Sequence, residues 1–396
     1  MPFWRALGNP RRVAAPMVDA SELAFRLLCR EHGAELAYTP MLNARLMATE
    51  PAYVSRHYDA GGTSSEDRPL VTQLAGHDPG HLATAARLCS ADSLAIDLNL
   101  GCPQEIALSG RYGAFLLEEE PEVALRCVRA LVAATSRPVT AKMRLQATRE
   151  RTVEIALRLQ EAGVSALTLH GRTRLQTRRQ RGIGSADWDA VREVARALTV
   201  PVVSNGGIAS AHCVVACLEH TAAQGVMVGE ALLENPALFM ANRRHDGTYI
   251  DQDALAARYL ELCEAHPPRK GIGLVKDHCR RMLHNGWLQW PDLADELYVA
   301  TDLAAVTAVV GRLAARGWVQ PAFHTNGERQ ELSWYARRRE RHDVRPNGDA
   351  HSIWVGRYLA RSAAKRHGAA RKRLAKTCAA GVGQKRAMVR SYNKIV

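Results

Sequence analysis

A cysteine, Cys102, lies between Gly101 and Pro103 at the end of the apolar run A-I-D-L-N-L (residues 95–100). Glycine frees the backbone on one side and proline fixes it on the other, so the thiol is held at the mouth of a strand instead of within a core. Gly110, Gly113 and Ala114 follow, small enough to let a loop fold tightly over something flat. An isolated cysteine is by default a small buried hydrophobe, so its role turns on what surrounds it. Other polar residues fall in the same kind of place. Met17, Gln73, Asn99, Lys142 with Arg144, His170 with Arg172, Asn205-Gly206-Gly207 and Gly229 each end or follow an apolar run.

The elements that must position them come next. Strand-like runs occur at residues 13–15, 36–39, 70–74, 93–98, 139–143, 166–170, 200–204 and 225–228. Helical patterns at 22–31, 81–89, 121–134, 151–162, 188–198 and 211–219 separate them, with Ser21 available to cap the first and Pro121 opening the third. Alternating strands and helices over this length predict an α/β fold, a (β/α)8 TIM barrel. An open doubly wound sheet would want a G-x-G-x-x-G turn after an early strand, and none is present. In a barrel the C-terminal strand ends converge on one face, so the polar residues above would share one mouth.

An amide (Gln73), a lysine (Lys142), a histidine (His170) and glycine turns whose N–H groups can approach a phosphate suit flavin mononucleotide (FMN). Pro16 and Met17 can pack on a ring edge, and Lys142 near the pyrimidine end would favour the reduced, anionic ring. Cys102 on the opposite face would then serve as a proton donor, since a thiol with a free pKa of about 8.5 is protonated at neutral pH. A nucleophilic cysteine with His170 as its base is the competing reading of the same pair.

The chain has 396 residues, long enough for one barrel and an appendage, and 47% apolar residues, ample for a large core. Nine cysteines without C-x-x-C spacing argue against a zinc site and a disulfide framework, and for a reducing compartment; no bound metal is expected. With no signal-like N-terminus and no apolar run near ~20 residues, no membrane association is expected. The expected location is cytoplasmic, and nuclear as well should the basic tail act as an address. Residues 337–396 hold 17 Lys/Arg against 3 Asp/Glu, so the net charge of +13 resides in the tail and the body is near neutral. Such a tail suits a polyanion, nucleic acid ahead of membrane; a disordered solubilising extension would look the same. The chain divides into a barrel (1–242), a small all-helical domain (250–335) and the tail (336–396), with helices expected at 251–265 and 293–316 and one tail helix near 353–374. Lys276, His278, Arg280, Arg281 and His284 lie near Trp287 and Trp290, which fits either an RNA-binding face or a solvated helix with core tryptophans.

Several motifs together resemble the tRNA-dihydrouridine synthases, and within them the eukaryotic branch acting at D-loop positions 16 and 17. They are A-P-M-V-D (15–19), Y-T-P-M (38–41), D-L-N-L-G-C-P-Q (97–104), Y-G-A-F-L (112–116), K-M-R (142–144), H-G-R-T (170–173) and N-P-A-L-F (235–239). The resemblance implies FMN contacts at Pro16, Met17, Val18, Gln73, Lys142, His170, Asn205, Gly206, Gly207, Gly229 and Glu230. It implies hydride from flavin N5 to uracil C6, with Cys102 as general acid toward C5, and NADPH or NADH as electron donor. Asn99, Arg144 and Arg172 would surround the substrate base or its ribose-phosphate. The helical domain would grip tRNA through Lys276, His278 and Arg280, without an obligate protein partner. Two positions depart from the family pattern: Gly207, where many members carry an acidic or amide residue, and Glu230, where many carry arginine. The basic segment 175–184 adds expected RNA contacts. A flavin enzyme acting on a free pyrimidine and an inert RNA-binding barrel are the alternatives.

Overall fold

The computed structural model describes residues 2–59, 66–176, 184–243 and 249–321. Nine parallel strands run β1 (Arg12–Ala14), β2 (Leu36–Tyr38), β3 (Leu42–Asn43), β4 (Leu70–Ala75), β5 (Ala95–Leu100), β6 (Val139–Leu145), β7 (Ala166–Thr173), β8 (Val202–Asn205) and β9 (Gly225–Val228). β1 pairs with both β2 and β9, and β2 pairs with β4, so eight of the nine close into a TIM barrel without a free edge. The barrel is the expected one. The ninth, β3, adds two residues beside the end of β4, Leu42 opposite Leu74, and was not evident from composition. It leads into helices Ala44–Thr49, capped by Asn43, and Pro51–His57, opened by proline, in a stretch where the sequence pattern indicated no helix.

Every residue of β4 and β5 is buried, as expected of strands covered on both faces. Trp4, from the N-terminal helix Pro2–Ala6, packs with Val13, Leu36, Val71, Ala95, Val203 and Met227 to floor the barrel at the strands' N-terminal ends. The register carries polar residues up the interior in rows: Gln73 opposite Asp97, Asp97 opposite Thr140, Asn99 opposite Lys142, Arg144 opposite His170, His170 opposite Asn205. Because side chains alternate with period two, these residues share the inner face.

One expected cap is replaced. Helix Leu23–Glu31 begins after Glu22, one residue too late for Ser21 to cap it, and the Ser21 hydroxyl instead bonds Met17 N and O. Asp59, 36 residues away, accepts from Leu23 N at 2.9 Å and takes over that task. The segment expected as one helix over 293–316 is two, Pro291–Val299 and Leu303–Arg316, broken at residues 300–302 where Asp302 caps the second. These follow helices Gln252–Ala265, Ile272–Met282 and His284–Gln289. One apolar core runs through the barrel helices and these C-terminal helices, from Phe25 and Leu28 to Tyr259, Cys279 and Trp287. At that junction Glu22 accepts from Tyr259 Oη (2.7 Å) and His278 Nε2 (3.1 Å), and Phe25 stacks on His278 at 4.4 Å. The tail at 336–396, its expected helix and residues 177–183 of the basic segment lie outside the described residues.

Candidate active site at the mouth of the barrel

Cys102 follows β5 directly, and its loop is shaped by two glycines. Gly113 has φ +70°, and a Cβ there would lie 2.7 Å from Cys102 O and 2.9 Å from Cys102 Cβ. The turn expected to fold over something flat therefore folds first against the cysteine itself, with Ala114 N donating to Cys102 O. On the other side, a Cβ at Gly101 would crowd Lys142 O at 3.2 Å, so the loop also hugs β6. Asn99 Oδ1 accepts from the N–H groups of both Gly101 (3.1 Å) and Cys102 (3.0 Å), and Arg144 Nε donates to Gly101 O (2.9 Å). The thiol is half-buried beside Tyr112, Phe115 and Met41. Burial pushes its pKa up from the usual cysteine value, against the N–H of Gln104 and the charges of Arg144 and Lys142. It therefore holds its proton at neutral pH, which favours a proton donor over a nucleophile.

Lys142 and Arg144 point inward two residues apart on β6. Burial, followed by the charge of Arg144, brings Lys142 down to about 8, with Asp97 and Cys102 pulling the other way. Burial lowers Arg144 to about 10. Both remain cationic at neutral pH, so the mouth is electropositive where a reduced ring or a phosphate would sit. Gln73 and Asn99 meet directly, Asn99 Nδ2 to Gln73 Oε1 at 2.9 Å.

Across the mouth, Arg172 bonds His170 Nε2 (3.2 Å) and Gly184 O (3.0 Å). Gly206 has φ +100°, and a Cβ there would strike the His170 ring at 2.7 Å. Gly207 has φ +82°, and its space is taken by Trp188 Nε1 at 3.1 Å and Ala186 Cβ at 3.2 Å, which explains a glycine where a side chain is usual. Trp188 also donates to Gly206 O, so this turn is held from outside the barrel. Asn205 Nδ2 is held by Met227 O (2.8 Å). Gly229 abuts Ala15 and the Met17 thioether, joining the last strand to the first. Glu230 opens the short helix Glu230–Glu234. Pro16 is half-buried, while Val18 is 54% exposed.

The structure thus gathers Met17, Gln73, Asn99, Cys102, Lys142, Arg144, His170, Arg172, Asn205–Gly207 and Gly229 at the C-terminal ends of the strands. An amide, an ammonium, an imidazole and two glycine turns fit the ring edge and phosphate of FMN. Lys276, His278 and Arg280 are elsewhere. His278 is wholly buried at the Glu22 junction, and Lys276 Nζ donates to Tyr298 O and Ala300 O, closing the end of helix Pro291–Val299. Arg280 pairs with Asp277. Trp287 is a core residue. Sequence reasoning passed over Asp97, Thr140 and Trp188; for the first two the signal was there, since each lies two residues before a chosen inward residue (Asn99, Lys142) and so on the same face.

Among the described residues no helix is long and apolar enough to cross a membrane, and no cluster of His, Cys, Asp or Glu could hold a metal. The family model "Dihydrouridine synthase (Dus)" matches residues 12–279. The chain is 40% identical over 317 residues to the "tRNA-dihydrouridine(16/17) synthase [NAD(P)(+)]-like" protein of Rattus norvegicus, covering 79% of this chain and 69% of that one. The Mus musculus protein of the same description is also 40% identical, at 79% and 64% coverage. The Saccharomyces cerevisiae "tRNA-dihydrouridine(16/17) synthase [NAD(P)(+)]" is 42% identical over 282 residues, at 70% and 66%. The chain thus spans about two thirds of the length of these relatives. The arrangement of the mouth and these matches agree: the chain belongs to the dihydrouridine synthase family.

Proposed function

We propose that the protein reduces the C5=C6 bond of uridine to 5,6-dihydrouridine in the D-loop of tRNA, at positions 16 and 17. FMN bound in the mouth would supply the hydride to C6, drawing its electrons from NADPH or NADH. The backbone turns at Gly206–Gly207 and Gly229–Glu230 hold the phosphate end in this reading. Gln73, Lys142 and His170 hold the ring edge, with Pro16, Met17 and the backbone of Val18 beside it. Cys102 gives its proton to C5. Asn99, Arg144 and Arg172 orient the uracil or its ribose-phosphate, and uridine must leave its stack to reach so recessed a thiol. Lys276, His278 and Arg280 act on tRNA through the helical part they hold in shape.

The observation that carries this reading is Cys102. It is a thiol kept protonated, on a loop fastened by Asn99 and Arg144, beside Lys142 in an electropositive mouth. The test incubates purified protein, FMN and NADPH with unmodified tRNA or free uridine, and measures dihydrouridine by mass spectrometry. Product in tRNA, mapped to positions 16 and 17, is expected. Turnover of free uridine alone, or none with either substrate, would overturn the proposal.

A further inference from the structure

We propose that Asp97 is a positioning residue: it sets the donor–acceptor direction of a side-chain relay that runs through Gln73 and Asn99 and ends on the backbone amides of Gly101 and Cys102. The relay crosses three neighbouring strands. Thr140 Oγ1 donates to Asp97 Oδ1 (2.6 Å), and Gln73 Nε2 donates to Asp97 Oδ2 (2.8 Å). Asn99 Nδ2 donates to Gln73 Oε1 (2.9 Å), and Asn99 Oδ1 accepts from both loop amides. Asp97, Gln73 and Asn99 are all buried.

The direction of every bond follows from the chemistry of the ends. A backbone N–H can only donate, so Asn99 must turn its carbonyl to the loop and its NH2 to Gln73. Gln73 must then turn its carbonyl to Asn99 and its NH2 inward, and whatever waits there must accept. A carboxylate is an acceptor on both oxygens, and here it takes one bond from each side. Lys142 and Tyr38 are the titratable groups facing it: the lysine favours its charge, while the Tyr38 phenol, pushed up by burial and then by Asp97, stays neutral. Burial raises Asp97 to about 6. A buried carboxylate has a desolvation cost, and a relay with every partner satisfied is the circumstance in which that cost brings a unique geometry. Without the inward acceptor both amides can turn over, and the loop loses its anchor.

The consequence for turnover rests on the role proposed for Cys102, but the relay can be tested without substrate on the purified full chain. Three measurements apply: hydrogen exchange at the Gly101 and Cys102 amides, alkylation of Cys102 by iodoacetamide, and thermal melting. Asp97→Leu removes the acceptor and should speed exchange at both amides about tenfold, with faster alkylation. Asn99→Asp leaves the loop amides an acceptor but faces Gln73 with a carboxylate at each end, and should lower the melting temperature. Adding Asp97→Asn to Asn99→Asp lets Gln73 turn end for end, donating to the new carboxylate at 99 and accepting from the new amide at 97. The double variant should recover at least half of the loss. Wild-type exchange in Asp97→Leu, or a double variant melting no higher than Asn99→Asp alone, would overturn the relay. Should Asp97→Leu fail to fold, the double variant still decides. Intact relay behaviour in a protein that makes no dihydrouridine would instead count against the proposed function.

Discussion

His278 separates an RNA-contact role from a structural one, and the two make opposite predictions. Its imidazole is wholly buried, bonds Glu22 Oε2 at 3.1 Å, stacks on Phe25 at 4.4 Å and lies 4.9 Å from Tyr259. Glu22 is itself 6% exposed, and the attraction and hydrogen bonds of His278, with that of Tyr259, hold its carboxyl below the usual carboxylate range despite burial. His278→Ala leaves this carboxylate with Tyr259 as its remaining side-chain hydrogen-bond donor among those described, with the charge of Arg281 nearby. Removing one partner of a buried pair costs about 3–5 kcal/mol. For a body of this size that is a fall in melting temperature of roughly 4–8 °C. Glu22→Gln, which fills the same space without the charge and keeps both contacts with one of them reversed, its NH2 donating, should cost less. The sign of the pH dependence follows from the lowered Glu22 pKa. The carboxylate's contribution is present above its unfolded value of about 4.5 and is lost as the pH falls through its folded value. The difference between wild type and Glu22→Gln should therefore shrink on acidification below about 4.5. The assay is calorimetric melting beside tRNA affinity at several salt concentrations, taken well below the melting transition. An unchanged melting temperature with a flatter salt dependence of tRNA binding would refute the structural reasoning and make His278 an RNA contact.

Cys102→Ala should retain FMN and tRNA binding while losing about 10²-fold or more in turnover, measured as dihydrouridine formed per minute; near-wild-type turnover would assign the proton elsewhere. Because burial raises the Cys102 pKa, the thiolate appears only as the pH rises through that raised value, so its alkylation rate should stay low at neutral pH and climb at a higher pH than that of a free thiol such as glutathione measured beside it. Gly113→Ala forces a side chain into a φ +70° backbone against Cys102 O, and should lower stability by about 1–3 kcal/mol while displacing the thiol, seen as a lower melting temperature with a disproportionate loss of turnover. Deleting residues 337–396 removes a net charge of +14 and should weaken tRNA binding and flatten its salt dependence in a filter-binding series.

Much of this protein is set locally. The strand runs, the glycine turns after them and Pro121 at a helix start depend on neighbouring residues, so the barrel and most of its mouth were legible in the order of residue types. Period two along a strand is also local, and Asp97 and Thr140 could have been placed beside Asn99 and Lys142 on that ground alone. Other features depend on residues far apart in the chain, whose meeting no local pattern encodes. Asp59 caps a helix in place of Ser21, Trp188 occupies the space beside Gly207, and Lys276 closes a helix end instead of facing solvent. His278 shows the difference most clearly. By type and spacing it belonged to a basic stripe, and only its meeting with Glu22, 256 residues earlier, turned it inward. The loop of Cys102 lies between these cases. Sequence alone placed the thiol at a strand mouth between glycine and proline. Burial beside Tyr112, on a loop packed against Gly113 and fastened by Asn99, decided that it keeps its proton, because a thiol's ionisation answers to its surroundings in space and not only to its neighbours in the chain.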